Sequence, residues 1–367
     1  MPGRKRAREL GLPMPGTTGP RNAITDVPGV RVGYTTLIAG EAGHAIRTGV
    51  TAILPRSPQE VMHPTWAGTF AMNGNGEMTG SHWIREAGFF TGPITITNTC
   101  SLGIAHHATV RWMIQHFPEK IGETDWPLPV VAETFDGWLN DIAGLHVLEQ
   151  HVLAAIDSAA SGPIAEGNVG GGTGMIAYEF KGGTGTSSRV VNTRAGSLTI
   201  GALVQANHGL RPWLRVCGVP VGAMMTESTL WSGERGSIIA IVATDAPLIP
   251  LQLERLARRV SIGIGRGGTP SGNNSGDIFL AFSTANDPGE YAALPVANGS
   301  GKLSEALIRF HSLTNDDIDE LFLATVESVD EAVLNAMLAA ETMSGKRGRV
   351  VHAIDPERLA DLVLARL

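Results

Sequence analysis

Cysteine is nearly absent from this chain of 367 residues, which has only Cys100 and Cys217. They lie far apart in the sequence, each among apolar or small residues, which fits buried thiols better than a disulfide scaffold or a metal clip. Charge is scarce as well, at 17% of residues, with 28 Lys and Arg against 35 Asp and Glu for a formal net charge of −7. No basic block answers to a phosphate backbone, so nucleic acid is not an expected partner. No apolar run approaches the length of a membrane span, which excludes a helical membrane anchor from the expectations. The start, Met1-Pro2-Gly3-Arg4-Lys5-Arg6-Ala7-Arg8-Glu9-Leu10, is basic but has no apolar stretch behind it and does not read as a secretory signal. The expected compartment is the cytoplasm, where the glycosylation pattern Asn273-Asn274-Ser275 has no meaning.

What is present is apolar material, 43% of the chain, enough for a sizeable core and against widespread disorder. The length allows two average domains, but α/β chains of this size often form one layered unit, and a single domain over 1–367 is expected. Strands are expected around Gly49 to Leu54, Ile94 to Thr99, Val130 to Phe135, Leu198 to Asn207, Ile238 to Thr244 and Ile278 to Ser283. Helices alternate with them. Leu256, Val260 and Ile264 at steps of four predict a helix around Leu251 to Ile264. Ile318, Phe322, Val326, Val329, Val333 and Met337 predict a longer one after the polar start Thr314-Asn315-Asp316. The stretch Asn286 to Asn315 reads as an inserted surface excursion. Such a mixture fits two sheets enclosed by helices or one sheet with helices on both faces, and periodicity does not choose between them.

The most informative stretch is Asn274-Ser275-Gly276-Asp277. It joins the irregular glycine-rich loop Gly265 to Asn273 to the apolar run Ile278-Phe279-Leu280-Ala281-Phe282, so Ser275 lies at a strand entrance. Locally, Asn-Ser-Gly is also ordinary turn chemistry. If the Ser275 hydroxyl attacked the Asn274 carbonyl and broke the bond before it, the new chain would begin with a serine bearing a free α-amine. The reference pKa of such an amine is about 7.7, so nucleophile and base would come from one residue.

Several motifs, in order, carry a resemblance over almost the whole chain. They are Asn22-Ala23-Ile24-Thr25-Asp26-Val27-Pro28-Gly29-Val30-Arg31-Val32-Gly33, Glu133-Thr134-Phe135-Asp136-Gly137, and Gly167-Asn168-Val169-Gly170-Gly171-Gly172-Thr173-Gly174. Val204-Gln205-Ala206-Asn207-His208-Gly209, Ser275-Gly276-Asp277-Ile278 and Glu331-Ala332-Val333-Leu334-Asn335-Ala336 follow. Together they resemble the DmpA/BapA-type self-processing aminopeptidases, known as L-aminopeptidase/D-esterase and β-peptidyl aminopeptidases. The resemblance implies an αββα sandwich with Ntn-hydrolase-like layers of different topology. It also implies cleavage between Asn274 and Ser275 into chains 1–274 and 275–367, and a homo-oligomer, a tetramer of such pairs. The implied substrates are short peptides, amides or esters with a free amino end, and no external cofactor is expected.

Residue by residue, the resemblance attributes an oxyanion role to Asn207, which by itself reads as a residue closing a strand. It attributes a grip on the substrate ammonium to Glu133, which alone reads as a solvated charge at a strand end. Some relatives carry tyrosine where this chain has Phe135. The hydroxyl is lost, more weight falls on Asn207, and an aromatic wall remains. Trp126 corresponds to an aromatic of the substrate pocket in some relatives, and packing under a loop explains it equally well. Ser328 and Asp330 match a serine and a glutamate paired near the nucleophile, with the acid here one methylene shorter.

Other features carry less. Gly170-Gly171-Gly172-Thr173-Gly174 lacks the lysine ending of a P-loop and the spacing of a dinucleotide fingerprint, and reads as close backbone packing. His106 and His107 diverge on a helix, so they do not make a zinc pair. Asn73-Gly74-Asn75-Gly76-Glu77 is a loop that the family position sets beside the active site. Two competing readings stay in view. Ornithine acetyltransferases share the fold but use an N-terminal threonine, against which Ser275 and the Glu133 motif argue. An uncleaved, non-catalytic binding protein would keep the pocket and remain one chain.

Overall fold

The computed structural model describes residues 5–122, 126–286 and 310–367. In chain order its strands are β1 (Arg31–Ala39), β2 (Ile46–Leu54), β3 (Thr65–Gly74), β4 (Phe89–Phe90), β5 (Ile94–Asn98), β6 (Val130–Thr134), β7 (Ile176–Ala177), β8 (Phe180–Lys181), β9 (Gly183–Thr193), β10 (Gly196–Asn207), β11 (Ser237–Thr244), β12 (Gly276–Ser283), β13 (Met343–Ser344) and β14 (Val350–Val351). The helices are α1 (Ser81–Ala87), α2 (Leu102–His116), α3 (Glu149–Asp157), α4 (Pro250–Arg266), α5 (Asp319–Ala339) and α6 (Pro356–Leu364).

Of the two architectures left open by periodicity, the chain forms the one with two main sheets, beside two short two-stranded pairings. One has the order β1-β2-β5-β6 and the other β4-β3-β12-β11-β10-β9. The alternation of side chains along a strand explains how four layers are held. On β11, Ile239, Ile241 and Ala243 face the inner core with Ile53, Ile94, Ile96 and Val130 of the smaller sheet. Their neighbours Ile238, Ala240 and Val242 face outward onto Leu253, Leu256 and Val260 of α4 and onto α5. Across the smaller sheet, Val50, Ala52 and Leu54 meet Ala105, Ala108 and Trp112 of α2 and Val152, Ala155 and Ile156 of α3. The order is helix, sheet, sheet, helix.

The predicted helices fall on α4 and α5, and each predicted strand falls on an element whose ends differ by a few residues. Strands β11 and β12 are parallel, so a crossover must join them, and α4 supplies it. Strand β12 lies inside its sheet, bonded to β3 on one side and β11 on the other. Phe279, Leu280, Ala281 and Phe282 are fully buried there.

Two expectations need correction. Cys100 is exposed and Cys217 half-buried, so neither is a core thiol. Cys100 sits in a single turn at the mouth of α2, Thr99–Ser101, where small neighbours mark a tight turn rather than a buried site. Strands β1, β3 and β9 were not legible because polar and glycine residues interrupt their apolar periodicity. The predicted excursion falls mainly on 287–309, outside the described residues.

Candidate active site

Ser275 stands where the sequence put it, in the residue before β12, and its side chain is fully buried. The loop before it is a turn, with the Ser275 amide donating to the Gly272 carbonyl at 2.8 Å. Glu234 moors that loop by accepting the Gly272 amide at 2.6 Å on one oxygen and the Gly209 amide at 2.8 Å on the other. Asn73 adds a bond from Nδ2 to the Gly272 carbonyl at 2.5 Å. The Ser275 hydroxyl donates to Asp277 Oδ1 at 2.5 Å, and Asn75 Nδ2 donates to the Asn274 carbonyl oxygen at 2.9 Å.

Backbone crowding explains why the loop around Asn75 can reach this bond. Gly276 pairs with Gly74, and the register between β12 and β3 shifts at Asp277 and Ile278, a bulge of the kind that re-aims side chains. A Cβ on Gly276 would lie 2.4 Å from the Asn75 carbonyl oxygen and 2.9 Å from the Gly76 Cα. Glycine is therefore required at 276, and its lack of a side chain brings Asn75 onto the Asn274 carbonyl.

Glu133 lies near the end of β6 and is only 4% exposed, so it is not the solvated charge its local sequence suggested. Its Oε1 accepts the Glu77 amide at 3.0 Å and its Oε2 the Thr99 hydroxyl. Burial pushes its carboxyl above the ordinary range, against the lowering effect of these two donors. An added Cβ on Gly76 would find Glu133 Oε1 at 3.2 Å and the Gly276 Cα at 3.4 Å. One glycine thus separates the buried carboxylate from the residue that follows Ser275. A cleft of about 720 Å3 opens beside it, lined by Gly74, Gly76, Glu77 and Ile278, with Arg85 and Arg258 farther along.

Asn207 ends β10 and is buried. Its Oδ1 accepts the Ile176 amide at 2.8 Å and its Nδ2 donates to the Phe135 carbonyl at 3.0 Å. The carboxamide is fixed at both ends, with one N–H still to give. Phe135 is 53% exposed and presents its ring outside this bond. Trp126 is 66% exposed and packs edge-on against Trp83 at 6.4 Å.

Ser328 and Asp330 are not joined to Ser275 by a hydrogen bond among the described residues. Ser328 is fully buried on α5, and its hydroxyl has no hydrogen-bond partner among the described residues. Asp330 borders a small cavity with Tyr178, Cys217 and Gly267. Burial raises its carboxyl to about 6, with the Arg266 and Arg189 charges pulling it back. Tyr178 stands between the two groups of residues: its ring meets His208 at 5.1 Å, and the charges of Asp330, Glu234 and Asp277 all act on it.

Sequence reasoning assigned no role to Asn75, Asp277, Thr99, His208 or Glu234. Asp277 and His208 stood within quoted motifs, and Asn75 lay in the loop placed beside the site, but nothing local says which atoms they reach. The glycine run 170–174 forms a tight turn against both sheets. A Cβ on Gly171 would be 2.1 Å from Gln205 Oε1 and 2.7 Å from the Ile96 carbonyl, which bears out close packing.

A hydroxyl with a carboxylate on its proton, a held carbonyl next to it, a spare amide donor and a desolvated carboxylate are the kinds of group that an acyl-transfer site uses. Known proteins agree with this chemistry. The protein is similar to a beta-peptidyl aminopeptidase, BapA, of Sphingosinicella microcystinivorans, at 46% identity over 95% of this chain and 89% of that protein. In structure it is similar to the L-aminopeptidase D-Ala-esterase/amidase of Ochrobactrum anthropi, described as a prototype of the serine aminopeptidases and a variant of the Ntn hydrolase fold. The TM-score is 0.90 at 53% identity, covering 98% of each chain. A beta-aminopeptidase of Burkholderia sp. gives a TM-score of 0.90 at 47% identity, covering 98% of this chain and 99% of that one. The model of Peptidase family S58 matches residues 22–351, and the chain belongs to that family.

Proposed function

We propose that this protein is a serine aminopeptidase that cuts itself between Asn274 and Ser275 and then releases amino-terminal residues from short peptides, amides or esters. Ser275 is the nucleophile and its new α-amine the base. Glu133 holds the substrate ammonium, Asn207 donates its free N–H to the oxyanion, and Phe135 and Trp126 flank the substrate. Resemblance alone carries Ser328 and Asp330, as groups that orient the new amine.

The observation that carries this reading is the burial of Ser275 beside a desolvated glutamate. A serine closed off in the intact chain meets substrate only after the loop before it is released, and Glu133 one glycine away is placed to read what enters. The two products, 1–274 and 275–367, would stay together, since β12 is bonded on both sides by strands of the other product. Separating them would expose side chains worth roughly 1.5–3 kcal/mol each.

Intact mass measurement, followed by release assays on α- and β-aminoacyl amides, tests maturation and selectivity together. Expected are two chains, the smaller starting Ser-Gly-Asp-Ile, and release of a free amino acid. A permanently single chain would favour the binding reading. The β-peptidyl alternative is favoured by the 46% identical relative that bears that name, and the β-aminoacyl members of the panel decide it.

Asn207→Ala is expected to lower kcat by about a hundredfold, the usual effect of losing an oxyanion donor, and normal release by that variant would remove Asn207 from the mechanism. The processed pairs are expected to assemble as a homotetramer, which light scattering checks; a single pair at working concentration would overturn that expectation.

A further inference from the structure

We infer that the first cut is performed by two residues outside the turnover machinery, Asp277 as the base that takes the Ser275 hydroxyl proton and Asn75 as the donor to the Asn274 oxygen as it becomes negative. The inference rests on the self-cleavage proposed above. Before the cut, the Ser275 nitrogen is an amide engaged with Gly272 and has no basic lone pair. The amine that serves turnover therefore cannot serve the step that creates it.

Asp277 is already in contact with the proton to be moved. Its Oδ1 lies 2.5 Å from Ser275 Oγ, in direct hydrogen-bond contact as a general base must be. The carboxylate is held by two further donors, the Ser271 hydroxyl on Oδ2 at 2.5 Å and the Ile238 amide on Oδ1 at 3.2 Å. His208 is the imidazole on which the Asp277 charge acts. Burial pushes its imidazole down to about 4, and its two ring nitrogens have no hydrogen-bond partner among the described residues. No imidazolium thus competes for the Asp277 charge near neutral pH. At the other end of the reacting bond, Asn75 Nδ2 sits 2.9 Å from the Asn274 oxygen, where a donor stabilises a tetrahedral oxyanion. The hydrogen bonds of Asn207 run instead to the Phe135 carbonyl and from the Ile176 amide, and none reaches the Asn274 oxygen.

In the step itself, Ser275 Oγ bonds to the Asn274 carbonyl carbon and its proton passes to Asp277. The oxyanion accepts from Asn75. Collapse breaks the bond between the Asn274 carbon and the Ser275 nitrogen, the proton moves from Asp277 to that nitrogen, and an ester joins Asn274 to Ser275 Oγ. One water molecule then hydrolyses the ester, leaving a carboxylic acid on Asn274, which ionises, and a free hydroxyl and amine on Ser275.

The test is a time course of cleavage after pulsed cell-free synthesis of the full chain, followed on denaturing gels, for wild type, Asp277→Asn, Asn75→Ala and Asn75→Gln. Cleavage of wild type with a slowing of about a hundredfold or more in both Asp277→Asn and Asn75→Ala is expected, with partial recovery in Asn75→Gln. Asn75 lies at the surface, so its variants report even if Asp277→Asn fails to fold, which a thermal melt would reveal. Wild-type cleavage rates in a folded Asp277→Asn, or in Asn75→Ala, would overturn the inference and leave the aminopeptidase reading standing. Absence of cleavage in wild type would instead overturn the self-processing reading and the inference with it.

Discussion

Ser275→Ala is expected to remain one chain of 367 residues and to release nothing from aminoacyl amides. Two losses coincide in this variant. The hydroxyl that attacks the Asn274 carbonyl is gone, so the bond stays closed, and the base for turnover never forms because that base is the amine which cleavage would free. Removing an acyl-transfer nucleophile alone costs on the order of a millionfold in kcat, and here the substituted side chain also stays buried behind its own loop. The substitution is small, and the Ser275 amide bond to Gly272 is made by the backbone, so the fold should persist. Intact mass and a melting curve check both points. A chain that is still cut at 274, or that still turns over, would place the nucleophile elsewhere.

Glu133→Gln is expected to mature normally yet lose activity on substrates with a free amino end. Self-cleavage presents no terminal amine to Glu133, whereas turnover brings an ammonium into its desolvated surroundings. Breaking a buried charge pair by removing one partner costs roughly 3–5 kcal/mol, or about two to four orders of magnitude in kcat/KM. The wild-type enzyme should discriminate in the same sense against N-acetyl substrates, which leave the carboxylate desolvated without its cation. The pH dependence follows from the sign of the Glu133 shift. Burial raises its carboxyl, and only the ionised form holds an ammonium, so kcat/KM should fall as pH drops through a value above the ordinary glutamate range. That acid limb should vanish in Glu133→Gln. Equal wild-type rates on a free aminoacyl anilide and its N-acetyl form would show that the amino end is not read, and a general amidase would replace the aminopeptidase.

Much of the scaffold of this site is local and so was legible. Strand β12 and helix α4 announce themselves by periodicity, and the glycine loop between them fixes Ser275 at a strand mouth. The ordered motifs, taken together, named the family. The stacking of two sheets was not legible, because Ile238 and Ile239 look alike in sequence and only the opposite layers they face distinguish them. The burial of Glu133 was equally hidden, since the groups that close over it, Thr99 and the Glu77 amide, lie 34 and 56 residues away.

By itself, then, the sequence determined the alternation of helix and strand, the place of Ser275 between a glycine loop and a strand, and the family to which the chain belongs. These are properties of residues close together in the chain or of motifs in a fixed order. Tertiary structure alone decided which carboxylate accepts the Ser275 hydroxyl, which amide faces the Asn274 oxygen across 199 residues, and how near Glu133 stands to the residue after Ser275. Such contacts depend on the bulge between β3 and β12 and on the close backbone approach at Gly276. A shift of one residue in that pairing would turn the same side chains to the opposite face.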